Sequence, residues 1–110
     1  MTKQEASERY NIPIWLMDEY ESWGLCREGR YDDSDLERIS MIMTLHDVGF
    51  TGSEIETYMR LPLEGDHTKE QRIQMLTRKR DHALDEIHFK EAQLARLDYL
   101  RRSINNTKKF

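Results

Sequence analysis

Ile73, Leu76, Ala83, Ile87, Leu94, Leu97 and Ile104 occupy the a and d positions of one unbroken heptad register, and Arg80, Lys90 and Arg101 fill the remaining seam positions. This spacing predicts a single helix from about Lys69 to Ser103, roughly 50 Å long at 1.5 Å per residue. A rod of that length cannot fold back into the small core that the preceding residues can build. Its apolar stripe, widened by Met75, Leu84, Phe89 and Leu100, therefore requires a partner helix, and a second copy of the chain is the expected one. The three seam cations would help set the register, because misaligned pairing buries them without partners.

At four places a helix start is marked by a Ser or Thr followed three positions later by Glu or Gln: Thr2 with Glu5, Ser34 with Glu37, Thr51 with Glu54 (overlapped by Ser53 with Glu56), and Thr68 with Gln71. With Pro13, which suits a first turn because its missing N–H has no partner there, they mark five helices. The first places Ala6 and Tyr10 on one face. Asn11 takes a left-handed turn, Ile12 plugs it, and a second helix runs from Pro13 to Trp23 and closes at Gly24. The third, about Asp35 to Asp47, carries Leu36, Ile39, Met43 and His46 along one side and stops at Gly49. The fourth, about Gly52 to Arg60, turns Ile55, Tyr58 and Met59 inward. The expected class is all-α: a module over 1–61, a linker over 62–68 broken at Pro62 and Gly65, the dimerisation helix over 69–104 and a frayed tail over 105–110.

Two short helices joined by a tight turn can present the second one to a nucleic-acid groove. Here the chain resembles the MerR family of bacterial transcription regulators. The resemblance rests on Glu5-Ala6, Asn11-Ile12, Met17-Asp18-Glu19-Tyr20-Glu21 and Gly24-Leu25, and continues through Tyr31-Asp32-Asp33-Ser34-Asp35-Leu36 and Leu45-His46-Asp47-Val48-Gly49-Phe50 with Glu54-Ile55. It covers residues 3 to about 61. It implies a winged helix-turn-helix module, an antiparallel coiled coil between two copies, and promoter DNA that is bent and untwisted on binding. Tyr20, Arg27, Arg30 and Tyr31 are the DNA contacts it implies, through phosphates. Asp18 and Glu19 stand where the family carries its DNA-contacting Arg-Tyr, and the wing is short, with only Cys26-Arg27-Glu28-Gly29-Arg30 between Leu25 and Tyr31.

Charge opposes that function. Residues 1–62 hold six basic and thirteen acidic side chains, a net −7, against +3 for the remainder and −4 for the whole chain. Phosphate neutralisation by Lys and Arg supplies most non-specific DNA affinity, so the module starts at a disadvantage. Two functions are open. The first is a dimeric regulator binding promoter DNA. The second is a degenerate relative that captures another protein through Trp15, Asp18 and Glu19 or through its coiled coil; in the bland alternative these carboxylates are a solvated helix face. Trp23 is expected in the core, whereas Trp15 could either fill it or stand exposed as a partner anchor.

Candidate chemistry is sparse. His46, His67, His82, His88 and Cys26 are scattered, no Cys-x-x-Cys or His-Glu-x-x-His spacing occurs, and His82 and His88 lie on different sides of their helix, so neither a metal nor another cofactor is expected. Cys26 could be an accessible thiol, with an idle one the better reading. Adjacent carboxylates on helix two lack the His partner or pocket that acid–base catalysis requires, so no enzyme is expected. With no apolar run near eighteen residues, no cleavable signal pattern and one Cys, the expectation is a soluble cytoplasmic protein with no membrane association. The drug-binding relatives add a large domain after the coiled coil; with Phe110 the last residue, no appended sensor is expected here.

Overall fold

A computed structural model describes residues 1–26 and 29–107. Five α-helices follow one another: α1 (Lys3–Tyr10), α2 (Ile14–Ser22), α3 (Asp33–Asp47), α4 (Gly52–Glu64) and α5 (Lys69–Thr107), with a 3₁₀ turn at Asp66–Thr68. Among the described residues there is no strand. The chain forms two compact units, Met1–Arg72 and Ile73–Phe110.

In the first unit α2 packs against α1 and α3, and α4 packs against α3. Thr2 caps α1 by accepting from the Glu5 N–H at 3.2 Å. Asn11 adopts the left-handed conformation at φ 54°, as expected, and the Ser7 hydroxyl donates to the Ile12 carbonyl at 2.7 Å to lock the turn. Ala6 is buried on the inner face of α1, but Tyr10 is exposed and instead borders a shallow groove with Ile12, Leu36 and Met43.

Several features of the helix ends differ from the sequence expectation, among them the start of α2 at Ile14 and the end of α5 at Thr107. Helix α3 begins at Asp33, capped by a reciprocal box in which Asp32 and Asp35 each accept the other's N–H, at 2.9 and 3.0 Å, rather than by Ser34 with Glu37. Asp competes for the cap as well as Ser does, and in this arrangement Asp35 is buried. The buried stripe of α3 is accordingly Asp35, Ile39, Ile42 and Leu45, with Leu36, Met43 and His46 at its margin. Helix α4 runs through Pro62 to Glu64 instead of ending at Arg60. Pro62 has no N–H to give the Tyr58 carbonyl, so the last turn of α4 continues without that ladder bond. Thr68, expected to cap α5, serves α4: its hydroxyl lies 3.0 Å from the Leu61 carbonyl and 2.8 Å from the Gly65 carbonyl, satisfying acceptors that a helix end leaves open. The segment expected as an irregular linker is therefore mostly structured.

The second unit is α5 beyond Arg72. Its whole seam faces solvent, from Ile73 at 59% exposure to Leu94 at 60% and Ile104 at 53%.

Candidate nucleic-acid interface

Helix α2 is anchored through Leu16, Met17 and Tyr20, all buried, with Trp23 buried just past its end. This one-sided anchoring leaves Ile14, Trp15, Asp18 and Ser22 on the outer face. Arg60 of α4 reaches back to donate to the Trp23 carbonyl at 2.7 Å and so finishes α2 from a distant part of the chain.

The outer face is less negative than its composition suggests. Lys3 of α1 lies between two carboxylates, pairing with Asp18 and reaching Glu21 at 3.2 Å. The hydrogen bond to Asp18, then that to Glu21, holds the Lys3 ammonium above its usual pKa. Glu21 also accepts from the Tyr31 hydroxyl. Glu19 is partly covered, with His46 Nε2 3.9 Å from its carboxylate, and the His46 ring meets Trp15 edge-on at 5.2 Å. Trp15 itself is 56% exposed. The sequence left its position open; here it stands exposed at the surface rather than in the core.

Tyr20 and Tyr31, expected to touch phosphates, are instead buried framework residues, 0% and 2% exposed. Tyr20 donates to Asp35 Oδ1 at 2.6 Å, and Arg38 completes the cluster 3.4 Å from the Tyr20 oxygen and 3.5 Å from Asp35. Burial, and then the carboxylate partner, pushes both phenols above their usual pKa, with Asp35 as that partner for Tyr20 and Glu21 for Tyr31. Tyr20 points inward from α2 and Tyr31 from the segment before α3, and a buried phenol must bond a local acceptor.

Arg30 does lie at the surface, on a groove of about 470 Å³ shared with Leu25, Cys26, Tyr31 and Arg38. Arg27 lies outside the described residues. Among the described cations of α1 to α4 and their connections, Lys3, Arg38 and Arg60 are paired with carboxylates. Arg9 and Arg30 are exposed, and neither has such a partner among the described residues. Cys26 is half-buried, and burial first and then nearby Asp35 push its thiol upward, away from the reactive thiolate.

The Asp35–Tyr20–Arg38 cluster and the Lys3 clamp escaped sequence reasoning. Lys3, the one lysine before residue 69, set against three acids on α2, was the available signal for the clamp. No group of His, Cys, Asp and Glu among the described residues could hold a metal ion, and none of the described helices is long and apolar enough to cross a membrane.

No curated protein matches the chain. In fold it is similar to HiNmlR, a MerR family regulator lacking the sensor domain and crystallised on promoter DNA, with a TM-score of 0.67 and 22% identity over 97% of this chain and 91% of that one. It is also similar to a Listeria monocytogenes protein assigned to the MerR transcriptional regulators, with a TM-score of 0.69 and 24% identity over 97% of this chain and 87% of that one. Residues 1–61, more than half of the sequence, match the model for MerR HTH family regulatory proteins. With its left-handed turn at Asn11, its core-anchored second helix and this match, the chain belongs to the MerR family of helix-turn-helix regulatory proteins.

Proposed function

We propose that the protein is a dimeric transcription regulator that binds promoter DNA, presenting α2 and the segment that follows it to a half-site. The observation that carries this reading is the Lys3 clamp: with Asp18 and Glu21 held by Lys3, the carboxylates of α2 repel phosphates less than they would unpaired. Arg30, and Arg9 at the end of α1, are the exposed cations left to contact the backbone. Tyr20 and Tyr31 act beneath them by fixing α2 and the start of α3, not by touching DNA. The likeness to HiNmlR, itself bound to promoter DNA, supports the same mode here. The exposed seam of α5 supports dimerisation, since so long an apolar stripe is costly in water.

The test is fluorescence anisotropy of the purified protein with its own upstream region and with a scrambled duplex, from about 50 to 200 mM salt. Preferential binding with a marked salt slope is expected. Absence of binding to either duplex at low salt would overturn DNA reading at this promoter and turn the search to a protein partner for Trp15, Asp18 and Glu19.

A further inference from the structure

We infer that Ile14 and Trp15, in the first turn of α2, read thymine through its 5-methyl group, so that the half-site carries thymine where this turn enters the major groove. The inference rests on the DNA-binding reading above and deepens it by naming the base that α2 selects.

The polar side chains of α2 are already engaged within the chain. Asp18 and Glu21 pair with Lys3. Glu19 turns toward the first turn of α4, where its Oε1 lies 3.0 Å from the point that a Cβ on Gly52 would occupy, a space the glycine leaves open. Its other carboxylate oxygen is 3.9 Å from His46 Nε2. The Ser22 hydroxyl donates to the Glu19 carbonyl at 2.6 Å, and Tyr20 is buried on Asp35. The helix contains no Arg, Lys, Asn or Gln, the side chains that read guanine and adenine by paired hydrogen bonds.

What projects is apolar. Pro13, Ile14 and Trp15 are consecutive exposed residues, with Ile14 at 47% and Trp15 at 56%. They stand at the leading end of α2, and it is the N-terminal residues of a recognition helix that meet base edges. The His46 ring stands edge-on to the Trp15 ring at 5.2 Å and 80°, bracing the indole from the last turn of α3 and lowering the ordering cost of binding.

The major-groove edge of DNA presents one apolar group, the thymine methyl. Uncharged side chains release no counterions from phosphates, so bases are what they can gain from. Laid over a G·C pair, the same side chains cover hydrogen-bonding groups without satisfying them, which is unfavourable. Thymine is thus favoured twice, by burial of its methyl and by the penalty at the other bases.

The test compares two duplexes of the upstream region, identical except that one carries uracil in place of every thymine and so lacks the methyl groups. Anisotropy of the unaltered chain is expected to show roughly four- to fifteenfold weaker binding to the uracil duplex, the worth of one or two buried methyl groups. The logarithmic salt slope should be the same for both, because a methyl contact releases no counterions. Combining Ile14→Ala with Trp15→Ala, both at exposed positions, should weaken binding to the thymine duplex and reduce the preference below about twofold. Equal affinity of the unaltered chain for the two duplexes would overturn the inference while DNA reading stands. So would a preference that the double variant keeps in full, which would place the methyl effect in duplex flexibility. Binding to neither duplex would overturn DNA reading itself, and this inference with it.

Discussion

The Tyr20 hydroxyl donates to Asp35 Oδ1 at 2.6 Å, joining the middle of α2 to the first turn of α3 inside the core. Asp35 is only 5% exposed and is already committed to the Asp32 N–H. One phenol thus orients the helix proposed to face DNA, while satisfying a buried carboxylate that would otherwise be costly.

Replacing that phenol tests its weight. Tyr20→Phe keeps the ring but removes a donor from a buried acceptor, so a loss of about 1–3 kcal/mol is expected in urea unfolding. A loss below about 0.5 kcal/mol would mean that Arg38 alone satisfies Asp35.

Alkaline pH should unfold the first unit. Tyr20 and Tyr31 both have folded pKa values raised above their ordinary 10.0. The folded state therefore holds these protons more tightly, so their contribution is complete below pH 10 and lost as pH rises beyond it. The slope should approach about 1.4 kcal/mol per pH unit for each tyrosine. Thermal unfolding from pH 8 upward should show this decline, and Tyr31→Phe should flatten it; an unchanged slope would show that Tyr31 titrates alike in both states.

Thr68 is 2% exposed and its hydroxyl serves two carbonyls at the end of α4. Thr68→Val preserves shape and abandons those acceptors, which should cost about 1–2 kcal/mol in the same assay. A neutral result would reassign the residue to simple filling.

The α2 face can be read through DNA affinity. Asp18→Asn should tighten binding about threefold near 100 mM salt, and Lys3→Ala, which frees Asp18 and Glu21, should weaken it by a similar factor. Arg30→Ala should lower the logarithmic salt slope by about 1. If Asp18→Asn left affinity and salt slope unchanged, α2 would not be the helix facing DNA.

The two tryptophans should separate cleanly. Trp15, 56% exposed, should be quenched readily by acrylamide, and Trp15→Ala should stay within about 1 kcal/mol of the parent. Trp23, 8% exposed, should resist quenching, and Trp23→Ala should cost about 3–5 kcal/mol. Equal quenching of single-Trp variants would contradict the anchoring of α2 described above.

Periodicity and punctuation were sufficient for what is local. The left-handed turn at Asn11, the Thr51–Glu54 capping box and the continuous helix through the heptads all follow from short-range chemistry, and the structure contains each of them. The capping choice at α3 was ambiguous, because Asp32 and Ser34 are both good N-caps; in the structure Asp32 caps the helix and Asp35 bonds Tyr20.

The sequence by itself determined the helical architecture and the apolar seam of α5, both written in residue spacing, and its motifs carried the family resemblance. Only the tertiary structure decided that Tyr20 and Tyr31 lie within the core, that Thr68 closes α4 and that Lys3 clamps the acids of α2. Those outcomes depend on groups many positions apart meeting in space: Lys3 is 15 residues from Asp18, and Arg60 is 37 from Trp23. A charge count treats such residues as independent, whereas folding pairs them, and it is the paired surface that DNA would meet.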